Sequence, residues 1–259
     1  MFKSQDFRIP FLKETPQVAL FDHVLFVPPT SDRSLFQFPG WNSSEVFGKD
    51  RGHNPIAIEF CSGNGEWLLE KAKHNPDWNW VAVEKRFDRT RKIWVKMKNM
   101  GLKNVFIVFG EALAYSTSFV PESSVQALYI NFPDPWPKTR HIKNRIISPL
   151  LFSEAARMLQ KEGKLIFVTD DQPYSEWFLE QYDLWNKGTF DIPTGKSAVE
   201  NPPLNYGTSF FDSLFRRQGK TIHYHERERT EAFYTNHMFE AIPTKGILSM
   251  NAYNIKTAL

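Results

Sequence analysis

Apolar and polar positions fall into alternating blocks between residues 55 and 185. Pro55-Ile-Ala-Ile-Glu59-Phe60 is a short apolar run that predicts a buried strand, and Ser62-Gly63-Asn64-Gly65 after it predicts a tight turn. Residues 66–74 predict a helix that Asn75-Pro76 ends, and 80–84 a second strand. A second helix is predicted over 88–100, closed by Gly101, and a third strand over 104–109. Residues 126–132 predict a fourth strand that runs into Pro133-Asp134-Pro135-Trp136-Pro137. A helix over 147–160, a strand over 164–170 and a helix from Pro173 to Trp185 complete the series. Thr221-Ile-His-Tyr-His-Glu-Arg227 alternates and predicts a late, antiparallel edge strand.

Strands alternating with helices at this spacing imply βαβ units and an α/β fold with a doubly wound, mostly parallel sheet. Ligands of such sheets bind beyond the carboxyl ends of the strands. Glu59, Gly63, Gly65, Glu84, Glu111, Asp134 and Asp170 all end or just follow a predicted strand. Residues 1–50 read as an irregular arm, 51–229 as the domain, 187–210 as a long loop, and 230–259 as a tail without a clear signal.

Composition narrows the class. The 259 residues are 41% hydrophobic and 15% aromatic, enough for a core, and no run of about 18 apolar residues suggests a membrane span. The charged N-terminus with Pro10 does not read as a secretory signal. The single cysteine, Cys61, excludes an intrachain disulfide and a cysteine-based zinc cage, and fits a reducing cytoplasm. His141, His223 and His225 lack a partner that would complete a metal site, so no metal is expected. The net charge is only +3, yet residues 85–103 hold eight Lys/Arg and one acid, and 135–153 hold Lys138, Arg140, Lys143 and Arg145 with no acid. That segregation suggests a polyanionic partner.

The strand ends suggest which ligand. Gly63 and Gly65 let backbone approach a ligand closely. Glu84, at the second strand's end, is placed to accept from the hydroxyls of a ribose. A dinucleotide fingerprint would put a third glycine where Leu68 stands, and Glu59 sits badly beside a diphosphate. Carboxylates at strand ends favour a cationic nucleotide-like cofactor, which describes S-adenosylmethionine, with Glu111 placed to read the adenine amino group. The prolines around Asp134 fix its backbone, and a rigid carboxylate beside Trp136 suits a planar base. The basic run that follows suits phosphates.

Asp134-Pro-Trp136 with Lys138-x-Arg140-His141-x-Lys143-x-Arg145 resembles the signature of the bacterial tRNA (guanine-N7-)-methyltransferases, the TrmB family. Glu59-x-x-x-Gly63-x-Gly65, Glu84, Glu111-Ala112 and Val168-Thr-Asp170-x-x-Pro173-Tyr174 follow in that family's order, from about residue 55 to 229. The resemblance implies a Rossmann-like class I methyltransferase fold with a seven-stranded sheet, S-adenosylmethionine as cofactor, and tRNA as partner, methylated at a variable-loop guanosine. It implies cofactor contacts at Glu59, Glu84, Glu111 and Asp134, the last also the proposed catalytic aspartate. Lys138 and Asp170 match substrate-contacting positions, and Arg140, His141, Lys143 and Arg145 the RNA-contacting stretch. The family's late Thr-x-(Tyr/Phe)-Glu motif corresponds to Thr208-Ser-Phe210-Phe211-Asp212, with the acid shortened or shifted by one step. Cys61 stands where the family usually has glycine, and Asn144 where it has a basic residue.

Guanine N7 carries a lone pair and no proton, so the tasks left to an enzyme are positioning and electrostatics. Asp134 or Asp170 would accept from the guanine N1–H and N2–H₂ edge. An amino-methyltransferase acting on another base, a non-catalytic RNA-binding module on the same fold, and either a monomer or a homodimer all stay open at this point.

Overall fold

The structure, a computed structural model, describes residues 1–12, 14–185, 190–191, 199–200, 202–203, 206–207 and 210–229. Its strands are β1 (Ala19–Phe21), β2 (Val24–Val27), β3 (Ile56–Phe60), β4 (Asn79–Glu84), β5 (Val105–Gly110), β6 (Val125–Asn131), β7 (Leu159–Thr169), β8 (Phe190–Asp191), β9 (Val199–Glu200) and β10 (His223–Arg229). The helices are α1 (Glu66–His74), α2 (Phe87–Met100), α3 (Ala112–Phe119), α4 (Pro149–Met158), α5 (Gln172–Trp185) and α6 (Phe210–Arg217). All ten strands join one sheet in the order β1-β2-β5-β4-β3-β6-β7-β10-β8, with β9 also paired to β10. The six strands from β2 to β7 along that order run parallel. β1 and β10 pair antiparallel to their neighbours.

The central strands are apolar along their whole length because both faces are covered. Ile58, Phe60, Val81, Val83, Phe106, Leu128 and Phe167 point to one face, packed by Tyr115, Phe152 and Phe178 from α3, α4 and α5. Ala57, Ala82, Ile107, Ala127 and Val168 point to the other, under Trp67, Leu68, Ile93 and Trp94 from α1 and α2. On α2 the buried Thr90, Ile93, Trp94 and Met97 form one helical stripe, and Gly101 at φ 68° ends the helix in the left-handed conformation glycine favours.

The doubly wound, mostly parallel sheet expected from the spacing is present, and α1 occupies the residues predicted for it. The differences have physical reasons. The sheet has ten strands rather than seven, because the arm is not irregular, its β1 and β2 forming a hairpin whose β2 extends the parallel sheet beside β5, and because the two-residue strands β8 and β9 pair with β10. Val24–Val27 is fully buried, and Phe7, Trp41, Val46 and Phe47 of the arm also enter the core. Four residues are too few to show a period. α3 escaped prediction because Ala112–Phe119 has almost no polar face. β7 starts at Leu159, directly after α4, because a bulge between the Leu159 and Lys164 pairings, with Glu162 at φ 63°, absorbs the turn that Glu162-Gly163 signalled. β10 is antiparallel as expected but is not the edge, since β8 and β9 pair outside it.

One side chain secures the helix next to the site. Buried Asn104 donates from Nδ2 to the carbonyls of Ala72 (2.9 Å), Asn75 (3.2 Å) and Trp78 (2.9 Å), tying the end of α1 and the turn after it to the start of β5. Asn104→Ala removes the donor from the buried Ala72 carbonyl and the half-buried Trp78 carbonyl, while Asn75 O keeps Trp78 N–H, and is expected to cost about 2 kcal/mol, seen as a lower urea midpoint at unchanged slope.

Candidate functional site

The sheet order β5-β4-β3-β6-β7 sets Glu111, Glu84, Glu59, Asp134 and Asp170 side by side at the carboxyl ends of successive strands. Adjacent strands lie about 4.8 Å apart, so the row spans a single cleft mouth. The Cys61 thiol senses this convergence. The residue is exposed, yet the protein atoms crowded around it push the thiol pKa up first, followed by the charges of Glu84, Glu111 and Asp134, against an opposing pull from Lys85.

Glu59 sits at the switch point between β3 and β6 and is 2% exposed. Its Oε1 accepts from Asn131 Nδ2 at 2.8 Å, and the Tyr206 hydroxyl donates in turn to Asn131 Oδ1. Its Oε2 is buried with no hydrogen-bond partner among the described residues, the nearby Ser62 hydroxyl donating to the Glu59 backbone carbonyl at 2.8 Å. Burial raises the Glu59 pKa to about 8, with the Asn131 bond opposing. A bare, buried carboxylate oxygen beside an open glycine turn suits a cationic ligand: a Cβ built on Gly63 would meet nothing within 4 Å.

The turn itself is drawn onto Glu84. Gly63 N–H donates to Glu84 Oε2 at 2.9 Å and Arg86 N–H to Oε1 at 2.8 Å, with Arg89 Nη1 3.9 Å away. Burial, the largest influence, raises the pKa of Glu84, and these partners oppose it. Gly65, at φ 75°, lies so close to α2 that a Cβ would come within 2.9 Å of Ile93. Cys61 adopts φ 61°, a left-handed conformation that explains a usual glycine at this position. The turn nevertheless closes. Glu111 caps α3 through a 2.8 Å bond from Ala114 N–H to its Oε2.

Asp134 is exposed and has no hydrogen bond or ion pair among the described residues. Its loop is strained on both sides: Phe132 at φ 47° and Trp136 at φ 45° are left-handed although each precedes a proline. Lys138, Arg140 and Lys143 are exposed on the 3-10 helix Thr139–Asn144 and its cap, and His141 sets its ring edge-on to Trp136, 5.5 Å between centroids. Arg145, expected to contact RNA, is placed otherwise. It is half-buried, donates from Nε to Pro135 O at 2.9 Å, and lies 5.2 Å and 4.9 Å from the rings of Tyr174 and Trp177. Half of the eight cations at 85–103 are paired within the fold: Arg86 with Asp88, Arg89 with Glu84, Lys96 with Glu66 and Lys98 with Asp22.

Asp170 pairs with Lys220 at 2.5 Å, and Lys220 also lies 4.4 Å over Phe215. The first turn of α5 is capped by the next residue, since Tyr174 N–H donates to Asp171 Oδ1 at 2.8 Å. Phe211 stacks on Phe215 at 5.9 Å, and Phe215 packs on Phe132 at 5.6 Å. Asp212 is 4% exposed and held by Arg216 one turn along α6, so its carboxylate does not replace the expected glutamate in an open position. Thr208 lies outside the described residues. Buried His225 bonds Ser175. Among the described residues no cluster of three His, Cys, Asp or Glu could hold a metal, and no helix is long and apolar enough to cross a membrane.

Sequence reasoning missed Asn131 and Tyr206, which hold Glu59, and Lys220, which holds Asp170. The Asn131 side chain at the end of a predicted strand was a usable signal, while Tyr206 and Lys220 sit in irregular chain and carried none.

A family profile described as "putative methyltransferase" matches residues 53–224. The tRNA (guanine-N(7)-)-methyltransferase of Chlamydia felis is 40% identical over 225 residues, 86% of this chain and 96% of its own length. That of Chlamydia trachomatis is 39% identical over 228 residues, covering 85% and 95%, and that of Levilactobacillus brevis 34% over 165 residues, covering 61% and 75%. Among solved structures, the 16S rRNA methyltransferase KamB superposes with a TM-score of 0.53 over 75% of this chain and 95% of that one at 15% identity, a likeness of fold. With the acid row and the Asp134 loop in that family's order, the chain belongs to the bacterial tRNA (guanine-N7-)-methyltransferase family, TrmB.

Proposed function

We propose that this protein transfers a methyl group from S-adenosylmethionine to N7 of a guanosine in tRNA, in the variable loop. The observation that carries the reading is the Asp134 carboxylate. It is exposed and has no partner among the described residues, and its proline-fixed loop joins the row of acids, of which Glu59 and Glu84 are buried, to the exposed cations Lys138, Arg140 and Lys143.

The turn Ser62–Gly65 with Glu59, Glu84 and Glu111 would hold the cofactor. When bound, S-adenosylmethionine supplies an electrophilic methyl on a sulfonium. Glu59 and Glu84 offer acceptors to its ammonium and ribose hydroxyls, and Gly63 leaves room for close approach. Asp134 accepts from the guanine N1–H and N2–H₂ edge, which selects guanine over adenine. As N7 takes the methyl the ring becomes cationic, so a fixed carboxylate there favours the transition state over the neutral base. Asp170 supplies a second acceptor once Lys220 releases it. Lys138, Arg140 and Lys143 neutralise phosphates and set the register of the RNA.

The direct test is methyl transfer from labelled S-adenosylmethionine to bulk tRNA, followed by nucleoside mass spectrometry: 7-methylguanosine is expected, and methyladenosine or no product would overturn the reading. Asp134→Asn is expected to lower kcat by about 10²-fold, as for loss of a preorganised electrostatic group.

Glu59 gives a prediction with opposite signs for stability and binding. Between about pH 4.5 and pH 8 the folded chain keeps a proton on Glu59 that the unfolded chain has lost, so this residue makes stability fall as pH rises through that window. Glu59→Gln should therefore melt higher than the parent at pH 8, with the gain shrinking toward pH 5. The same variant should bind S-adenosylmethionine more weakly, and calorimetry in two buffers should show that cofactor binding below pH 8 releases a proton in the parent and not in the variant. Cys61→Gly should stabilise by about 0.5–1 kcal/mol, the relief of left-handed strain less the added freedom of the unfolded chain.

A further inference from the structure

We propose that Arg145 is a positioning residue for methyl transfer, a strut that holds the Asp134 loop in its strained conformation against α5. The proposal rests on the reading of Asp134 given above. Asp134 makes no contact that could place its own carboxylate, so its position follows wholly from its backbone. That backbone is left-handed at two bulky residues, Phe132 and Trp136, a conformation that persists only when neighbours enforce it.

The loop has an anchor at each end. On the strand side, Phe132 N–H donates to Val168 O on β7 at 2.8 Å. On the far side, Arg145 donates from Nε to Pro135 O at 2.9 Å and from Nη2 toward Trp136 O at 3.5 Å, the two carbonyls that follow Asp134. The guanidinium is itself fixed, lying against the rings of Tyr174 and Trp177, three residues apart on α5. The chain just beyond it is pinned to the same two side chains. Trp177 Nε1 donates to Ile147 O at 2.9 Å, and the Tyr174 hydroxyl accepts from Ile147 N–H at 3.5 Å. α5 is thereby the wall against which the loop is set.

The geometry requires arginine. Only a planar fork reaches two carbonyls while lying on aromatic faces, whereas a lysine ammonium carries the same charge on one point. Charge alone would serve an RNA phosphate equally well, and that separates the two roles. Arg145→Lys is expected to lower kcat at saturating tRNA at least tenfold, while tRNA affinity and its salt dependence stay at parent values. Trp177→Leu, which removes one face of the clamp and no charge, should lower kcat in the same direction. Arg140→Gln is the comparison for a phosphate contact: the slope of log affinity against log salt should become shallower by about 0.7–0.9. S-adenosylmethionine affinity by calorimetry reports that each variant is folded, since the Gly63 turn and Glu84 lie on other strands. If Arg145→Lys retains the parent kcat, or if Arg145→Gln flattens the salt slope as Arg140→Gln does with kcat intact, the strut is overturned and Arg145 is an RNA contact. If the parent enzyme makes no 7-methylguanosine at all, it is the proposed function that fails.

Discussion

The carboxyl edge of the sheet is organised around the burial of one charge-bearing group, Glu59. A carboxyl group at 2% exposure is costly in isolation, and the fold answers with a chain of hydrogen bonds from Tyr206 through Asn131 that satisfies one oxygen and leaves the other bare. Because Asn131 is the last residue of β6, the same bond fixes the spacing between β3 and β6, where the strand order reverses and the cleft opens. Trp67 of α1 donates to the Tyr206 carbonyl at 2.9 Å, so the helix after the glycine turn is tied to the same chain of bonds. The unsatisfied oxygen is a deficit within the protein, and it is the feature that a cation would relieve.

Strain is the second theme, and three of the seven left-handed non-glycine residues among those described lie at the same edge. Cys61, Phe132 and Trp136 are all left-handed without being glycine, and all three border the row of acids. In each case a strong contact holds the backbone nearby: Gly63 N–H on Glu84, Phe132 N–H on β7, and the Arg145 fork beyond Asp134. The site thus combines a rigid backbone with acids held by fixed partners and one carboxylate, Asp134, that has none among the described residues, an arrangement suited to electrostatic preorganisation.

The sequence made the sheet legible where chain and burial agree. Ile56–Phe60 and residues 80–84 are apolar runs with one acid at or next to the end, and both the strands and the acids could be placed from that pattern. The Asp134 loop was legible through its prolines and its basic tail. What stayed hidden depended on tertiary partners. Arg145 reads like Arg140 in sequence, and only the position of Tyr174 and Trp177 turns it inward. The cations of α2 read as a polyanion surface until Asp22 and Glu66 are found beside them. Val24–Val27 is a core strand whose four residues offered no period to detect.

That last strand changes what the first fifty residues are. Without β2, the hydrogen-bonding edge of β5 would stand open, a row of unpaired amides and carbonyls on a flat apolar strand and a template for another chain. The hairpin covers that edge and replaces it with β1, three residues long and antiparallel, which offers little to copy. The arm is therefore the terminus of the sheet in the architectural sense: it makes the lattice of strands finite and keeps a self-complementary edge from reaching solvent.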